Sequence, residues 1–556
     1  MNKQQSETAD TFQQGVLLFQ SGKTDEAQEV FEKILTENPN HINCLNLLGI
    51  IAVQAMKPKL AIALIDRVIK LKPDDAAAYS NRGVALQDLN QMVEAVASYD
   101  RALAINPSYV EAWANRGNAL LALKRLEEAL LSYDHAISLD PVYAEGFYNR
   151  SIALMQLGRI AESLANCDHA IAIHPNYAEA YANRSVALVD LKRPNEALAS
   201  CDLAIAHRPD YAEAHYNRGV ALKELNCLAE AVRSFDRAIA LQANYPEAYL
   251  NKAISLLLAG DLNGAWDLYE WRWKQVNVPK INVAGLKPLW HSDEDISNKT
   301  ILLCAEQGFG DIIQFCRYAL LVQQLGGRVI LEVPGALMRL LAELKGVDFL
   351  VKKGDPIPHF DYYCPLLSLP KAFKTQLHTI PSPRPYLFAA QEKREEWIKK
   401  LGKKTKLRVG LVWSGAAKNT NDHNRSIPLR QLLPYLPAEH EYYCLQKEVR
   451  TGDESDLARS DVRRYVEQAH DFSDTAALCD LMDVVISVDT SLAHLSAALG
   501  RNTFILLPFA PHWPWLLERE DSPWYASVKL LRQGSDYRWE DVLQQLKLEL
   551  SEMKYS

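Results

Sequence analysis

The chain has 556 residues, of which 48% are hydrophobic and 23% charged, with a formal net charge of -8. That is the make-up of a globular protein of several domains, and the acidic balance offers no basic field for nucleic acid. Nine cysteines, odd in number and without a CxxC pair, argue against a disulfide framework or zinc knuckle and fit a reducing cytoplasm; no signal peptide or apolar stretch of the roughly 18 residues a membrane span needs is visible.

The first half is periodic. NRGVAL at Asn81 returns as NRGNAL from Asn115, NRSIAL from Asn149, NRSVAL from Asn183, NRGVAL from Asn217 and NKAISL from Asn251, each copy 34 residues after the last. Pro39, Pro73, Pro107, Pro141, Pro175 and Pro209 keep the same step, as do two columns of small residues, among them Gly83 and Gly117 in one and Ala95 and Ala129 in the other. Small columns let paired helices approach closely. The pattern resembles the tetratricopeptide repeat, which implies an all-α superhelix of about eight units over residues 8–279, with the first helix of each unit lining a groove.

On that helix the last five asparagines each stand four residues, about one turn, after Glu111, Glu145, Glu179, Glu213 or Glu247. A carboxamide column offers a donor and an acceptor at every step, which suits an extended polypeptide. The protein O-GlcNAc transferases also fuse such repeats to a glycosyltransferase and hold their substrate on an asparagine ladder, and this organisation is similar to theirs. A second reading stays open, in which Asn-Arg belongs to the repeat's own packing and Arg82, Arg116, Arg150, Arg184 and Arg218 pair with Asp100, Asp134, Asp168, Asp202 and Asp236.

The array ends in AWDLYEWRWKQV. A terminal repeat has an open face to bury, so Trp266, Trp271 and Trp273 either plug that face onto the next domain or are ordinary core residues. Residues 280–297 read as a junction.

Beyond it β-branched runs alternate with helical stretches, as in parallel α/β sheets. TILLCA, RVILEV and DFLV place a first Rossmann-like lobe over 298–395, and LRVGLVW, YYCLQ, VVISV and TFILLP a second over 407–545. The charged helix from Gln391 leads into a link at 396–406. Ligands in such sheets bind beyond the carboxyl ends of the strands, where three segments stand out.

AEQGFGDIIQ follows the first strand and sets Asp311 at a helix start, as a functional group or a simple first-turn residue. WSGAAKNTNDHNRSIP follows LRVGLV: Ser414 and Gly415 open a turn that, with Lys418 or Arg425, forms either a phosphate site or a solvated loop. VVISVDTSLAH brings Asp489, Thr490 and His494 to a strand end, as a binding cluster or as a cap with an incidental histidine. Gln446 and Lys447, ending YYCLQ, stand within reach of a nucleotide there. His423 and His512 have no evident partner, and Trp513, Trp515, Trp524 and Tyr525 suit tertiary packing better than ligand stacking.

Taken together, Gly310–Asp311, Ser414 with Arg425, and Asp489-Thr490 with His494 resemble the heptosyltransferase-like glycosyltransferases of the two-lobed GT-B fold. The resemblance implies that Asp311 is the general base on an acceptor hydroxyl, that Asp489, Thr490 and His494 hold the ribose and diphosphate of a nucleotide-sugar, and that transfer inverts without a metal. Arg425 stands where that family usually shows a lysine. Those enzymes carry no repeat array, and the loop from Ala416 to Asn424 and the aromatic tail differ from theirs, which speaks against a lipid-core acceptor. The expectation is a cytoplasmic transferase with no cofactor beyond its nucleotide-sugar donor. A polypeptide, recruited by Asn81, Asn115, Asn149, Asn183, Asn217 and Asn251, would be modified on Ser or Thr. A glycan-directed transferase and a non-catalytic scaffold are the alternatives, and the array leaves room for a homo-oligomer.

Overall fold

A computed structural model describes residues 3–275, 281, 285–292, 294–381, 385–416 and 422–554; Lys418 lies outside them, as does the side chain of His423. The chain forms two compact units, Met1–Ala221 and Leu222–Ser556. The 34-residue period runs on past that division, so the helices Leu228–Leu241, Pro246–Leu258 and Leu262–Tyr269 belong to the second unit.

The first unit is built of helix pairs such as Ala76–Asp88 with Met92–Ile105 and Val110–Ala122 with Leu126–Leu139. Each proline of the periodic column directly follows a helix C-cap, at Asn38, Lys72, Asn106, Asp140, His174 and Arg208, where the ring cannot extend the helix. The small columns set helix spacing: a Cβ on Gly83 would meet the Tyr99 ring at 2.5 Å, and Ala95 and Ala129 are fully buried. A further column has no uniform residue type. The turns within the repeats demand left-handed backbone at Met56 (φ 55°), Asn90 (59°), Lys124 (59°) and Lys192 (61°), and Gly22 and Gly158 fill the same place.

The arginines do join helices, but not to the aspartates expected. Arg82 Nε donates to Asp66 Oδ1 at 2.7 Å, and its Nη1 to Ser98 Oγ at 2.9 Å; Arg116 repeats this with Asp100 at 2.6 Å and Ser132 at 2.7 Å. Arg150 takes Asp134 and Asn166, and Arg184 takes Asp168 and Ser200; Arg218 pairs with Asp202. The reason is helical phase. Ser98 and Asp100, two residues apart, point about 200° away from each other, so Ser98 faces Arg82 while Asp100 faces Arg116 of the next unit. The guanidinium groups of Arg82, Arg116, Arg150 and Arg184 therefore each clamp the helix behind and the helix ahead.

In the second unit, β1 (Thr300–Cys304), β2 (Arg328–Val333), β3 (Phe349–Lys352) and β4 (Tyr362–Pro365) form a parallel sheet in the order β3-β2-β1-β4. A second parallel sheet runs β10-β9-β8-β5-β6-β7. Its strands are β5 (Arg408–Val412), β6 (Glu441–Cys444), β7 (Arg463–Arg464), β8 (Val484–Val488), β9 (Thr503–Leu507) and β10 (Val528–Arg532). Strand order reverses between β1 and β4 and between β5 and β8, the places where doubly wound sheets open a crevice. β1, β5 and β8 are buried along their whole length, as central strands covered on both faces must be.

The helix Gln391–Leu401, read as leading into a link, packs down: Trp397 is fully buried and donates to Asp474 Oδ1 at 3.2 Å. Trp266 of the last repeat helix is also buried, donates to the Thr375 carbonyl at 2.8 Å and meets Trp513 edge-on. Trp513, Trp515, Trp524 and Tyr525 are core residues. Trp271 instead stacks flat on Tyr249, 3.7 Å between centroids.

Candidate active site

Asp311 stands in the first turn of the helix Phe309–Phe315, a short loop beyond β1. Gly310 beside it is a close approach: a Cβ there would lie 3.0 Å from His494 Cδ2 and 3.5 Å from Ser491 Cα. The absence of a side chain lets this helix lie against the helix Ser491–Ala498, which follows β8, so groups from the two sheets meet. Burial pushes the Asp311 carboxyl above the ordinary range, the charge of His512 opposing and that of Asp489 adding to the rise.

His494 is buried, stacked on Trp515 at 5.0 Å, with Nδ1 2.9 Å from the Tyr525 hydroxyl and Nε2 4.0 Å from Asp489 Oδ1. Burial pulls it down to about 4, against the upward pull of Asp489 and with His512, Arg317 and Arg425 adding to the fall. The imidazole is therefore neutral at neutral pH and able to donate or accept without carrying charge.

Arg425 is aimed by its surroundings. Nη1 donates to the Asp489 carbonyl at 2.6 Å and Nε to Asp422 Oδ1 at 3.4 Å; Asp422, itself buried, also accepts from Ser426 Oγ and Arg450 Nη2. A side chain on Gly415 would strike Asp422 and Arg425, and the Gly415 N–H is taken by Ser426 Oγ at 3.1 Å. Gln446 serves the end of β5. Its Oε1 accepts from the Trp413 and Ser414 N–H groups at 2.9 and 3.2 Å, and its Nε2 donates to Ser414 Oγ and the Glu448 carbonyl, both at 3.0 Å. Lys447 is exposed, and Thr490 Oγ1 lies 3.2 Å from Ser487 Oγ.

Two adjoining cavities gather these residues. One, about 670 Å³, is lined by Asp311, Arg425, Asp489, His494 and His512, together with Lys223 and Ile254 of the repeat helices. The other, about 310 Å³ and largely apolar, is lined by Ser414, Gly415, Gln446 and Lys447, with Val466 and Phe472. Phe309, Ala416, Thr490 and Ser491 border both. The repeat residues on the first wall were missed by sequence reasoning because nothing local distinguishes them from packing residues, whereas Tyr525 and Trp515 behind His494 are core residues, as expected of them. Phe472 carried one faint signal, an apolar residue directly after the acid Asp471 that caps its helix.

The asparagine column is not uniform. Asn81, Asn115 and Asn149 are half-buried and make no side-chain hydrogen bond among the described residues. Asn183 Nδ2 is buried with no partner among them, and Asn217, itself buried, donates to the Ala182 carbonyl at 3.3 Å. In the second unit Asn251 donates to the Glu247 carbonyl at 3.1 Å and accepts from Lys223 at 3.0 Å. The glutamate column is partly occupied: Glu179 pairs with Arg208 at 2.7 Å, and Glu145 and Glu213 accept from Tyr143 and Tyr211. Among the described residues no trio of His, Cys, Asp or Glu is placed to share a metal, and no helix is long and apolar enough to cross a membrane.

Tetratricopeptide repeat families match residues 18–81, 76–109, 110–143, 148–212 and 183–246, so the N-terminal region is a tetratricopeptide repeat array. The chain is similar to Protein FlbA of Caulobacter vibrioides, 24% identical over 319 residues, or 52% of each chain; it thus spans about half the length of that relative. Among solved structures it is similar to YrrB, described as a TPR protein with an unusual peptide-binding site (25% identity, 33% of this chain and 95% of that one, TM-score 0.29). It is also similar to a tetratricopeptide repeat protein of Parabacteroides merdae (16%, 45% and 99%, TM-score 0.38) and to PilF of Pseudomonas aeruginosa (19%, 37% and 94%, TM-score 0.34).

Proposed function

We propose that the second unit is a GT-B-type glycosyltransferase and that the repeats recruit its acceptor, a polypeptide modified on Ser or Thr. The observation that carries this reading is one cavity where Asp311, Arg425, Asp489 and His494 converge from the carboxyl ends of strands in two parallel sheets. A half-buried carboxylate beside a held cation and a neutral imidazole suits a displacement at a sugar carbon. The apolar cavity at Phe472 and Val466 would take the nucleoside, and Thr490, bordering both cavities, would lie near the diphosphate.

In the reaction the acceptor hydroxyl oxygen attacks the anomeric carbon from the face opposite the diphosphate. Its proton passes to Asp311, the bond from carbon to diphosphate oxygen breaks, and the configuration inverts. Arg425 offsets the charge growing on the leaving diphosphate. A raised Asp311 carboxyl is a stronger base once ionised, at the cost of being protonated at higher pH. Donor-dependent turnover should therefore fail on the acid side at a pH above the ordinary carboxylate value of about 4.

The test is Asp311→Asn in the full chain. UDP-, GDP-, ADP- and CMP-sugars are first screened by thermal shift, and the donor that binds is carried into turnover. Turnover should fall by about 10²–10⁴-fold with the donor's thermal shift retained; a variant that turns over like its parent sinks the assignment.

A further inference from the structure

A buried charge cluster joins the end of the repeats to the loop that carries Asp311. The last repeat helix Leu262–Tyr269 runs directly into a short helix, Glu270–Lys274. From it Arg272, 4% exposed, reaches Glu306, equally buried, by Nε to Oε2 at 2.9 Å and Nη2 to Oε1 at 3.1 Å. This is the two-pronged fork of an arginine on a carboxylate. Glu306 Oε1 also accepts the Leu367 N–H at 3.0 Å, just beyond β4. Arg272 Nη2 donates to Ser368 Oγ at 2.7 Å and Nη1 to Glu270 Oε1 at 2.6 Å, and the Tyr269 and Trp273 rings flank the guanidinium at 5.0 and 4.7 Å.

A buried ion cluster is poor evidence of stability, because desolvating the charges costs as much as their attraction returns. What it supplies here is location. Glu306 lies in the loop between β1 and the Asp311 helix, a stretch of Ala305, Glu306, Gln307 and Gly308. The Gln307 and Gly308 side lines the large cavity, while Glu306 is the anchor on the protein side. Tyr269 completes the link: it lies against Arg272 on one side and is 6.3 Å edge-on from Trp513, a wall of that cavity, on the other.

We propose that Arg272 is a positioning residue, which through its fork on Glu306 fixes the loop that holds Asp311 in the cavity it shares with His494. The last repeat is then part of the catalytic unit's frame. The proposal rests on the transferase reading with Asp311 as base.

The test uses the full chain with Arg272→Lys, Arg272→Met, Ser368→Ala and Asp311→Asn. Nucleotide release is followed with whichever of the UDP-, GDP-, ADP- and CMP-sugars gives the largest thermal shift, with water as acceptor. Hydrogen–deuterium exchange is measured over residues 306–315 and, as an internal reference, over 484–498. Lysine keeps the charge but loses the fork. Arg272→Lys should lower kcat about tenfold at unchanged donor KM and raise exchange in 306–315 alone, with Ser368→Ala giving a smaller change in the same direction. Parental kcat in Arg272→Lys and Ser368→Ala, or exchange rising equally in both segments, overturns the proposal. Should Arg272→Met fail to fold, those two variants decide. An inert Asp311→Asn beside parental Arg272 variants rejects this inference alone, whereas an active Asp311→Asn rejects the transferase reading itself.

Discussion

Repeats of one period meet two different fates in this chain. In the first unit the Asn115 side chain makes no hydrogen bond among the described residues and Arg116 bridges Asp100 and Ser132. In the second, Asn251 is held by Lys223 and its own helix, and Lys252 stands where the arginine was, on Asp236 at 2.6 Å. The helices there carry Trp266 and Tyr269 into the α/β core and Arg272 onto Glu306. A shared period thus reports helix geometry alone. What a repeat does depends on whether its faces are left open or are used to close a neighbouring fold.

The largest way to break that comparison is Trp266→Ala. The indole is buried, bonded to Thr375 and packed on Trp513, so its loss should cost about 3–5 kcal/mol. That cost should fall on the second unit only. Calorimetry of the full chain should show the transition of the second unit moving down while that of the first stays in place; if both move together, the last repeats do not belong energetically with the sheets.

Next in size is an acid effect confined to the second unit. His494 falls from 6.5 to about 4 on folding, so the unfolded chain binds a proton that the folded one refuses. Its contribution is present above pH 6.5 and is lost as pH falls toward 4, a total of about 3 kcal/mol. His494→Gln should be less stable at pH 7, where it loses the Tyr525 contact, yet show a shallower decline between pH 6.5 and 4 in urea titrations. Parallel curves for parent and variant would mean the imidazole is not held neutral.

The contrast between the regions also explains what could be read in advance. The repeat period was legible because every unit reuses the same small and apolar columns. So were strands such as RVILEV, whose apolar runs fill β2. β4, as YYCP, ends on a proline, β7 is two arginines, and β10, VKLLR, mixes charge with aliphatic residues, so none has a clear strand pattern. The arginine partners were misassigned because an offset along the chain does not reveal helical phase. The left-handed column at Met56, Asn90 and Lys124 was invisible because glycine fills only some of its places. In the site, motif residues at strand ends were legible. Arg272 and Glu306 were not, since a charged residue in YEWRWK or AEQGFG looks like surface until the fold buries it.

The smallest effect is also the sharpest test of the opening contrast. Asn217→Ala removes a buried donor bonded to Ala182, and Asn251→Ala removes the acceptor of Lys223; each should cost about 1 kcal/mol. Asn81→Ala, Asn115→Ala and Asn149→Ala break no bond among the described residues, and alanine is the better helix former, so each should stay within about 0.5 kcal/mol of the parent or rise slightly. Urea midpoints of the five single variants decide this. The triple variant at Asn81, Asn115 and Asn149 then separates packing from recognition: tested on an array of extended peptides, it should bind more weakly than the parent at undiminished stability. Equal binding would leave those amides as helix residues that happen to face outward, and would place recognition elsewhere in the array.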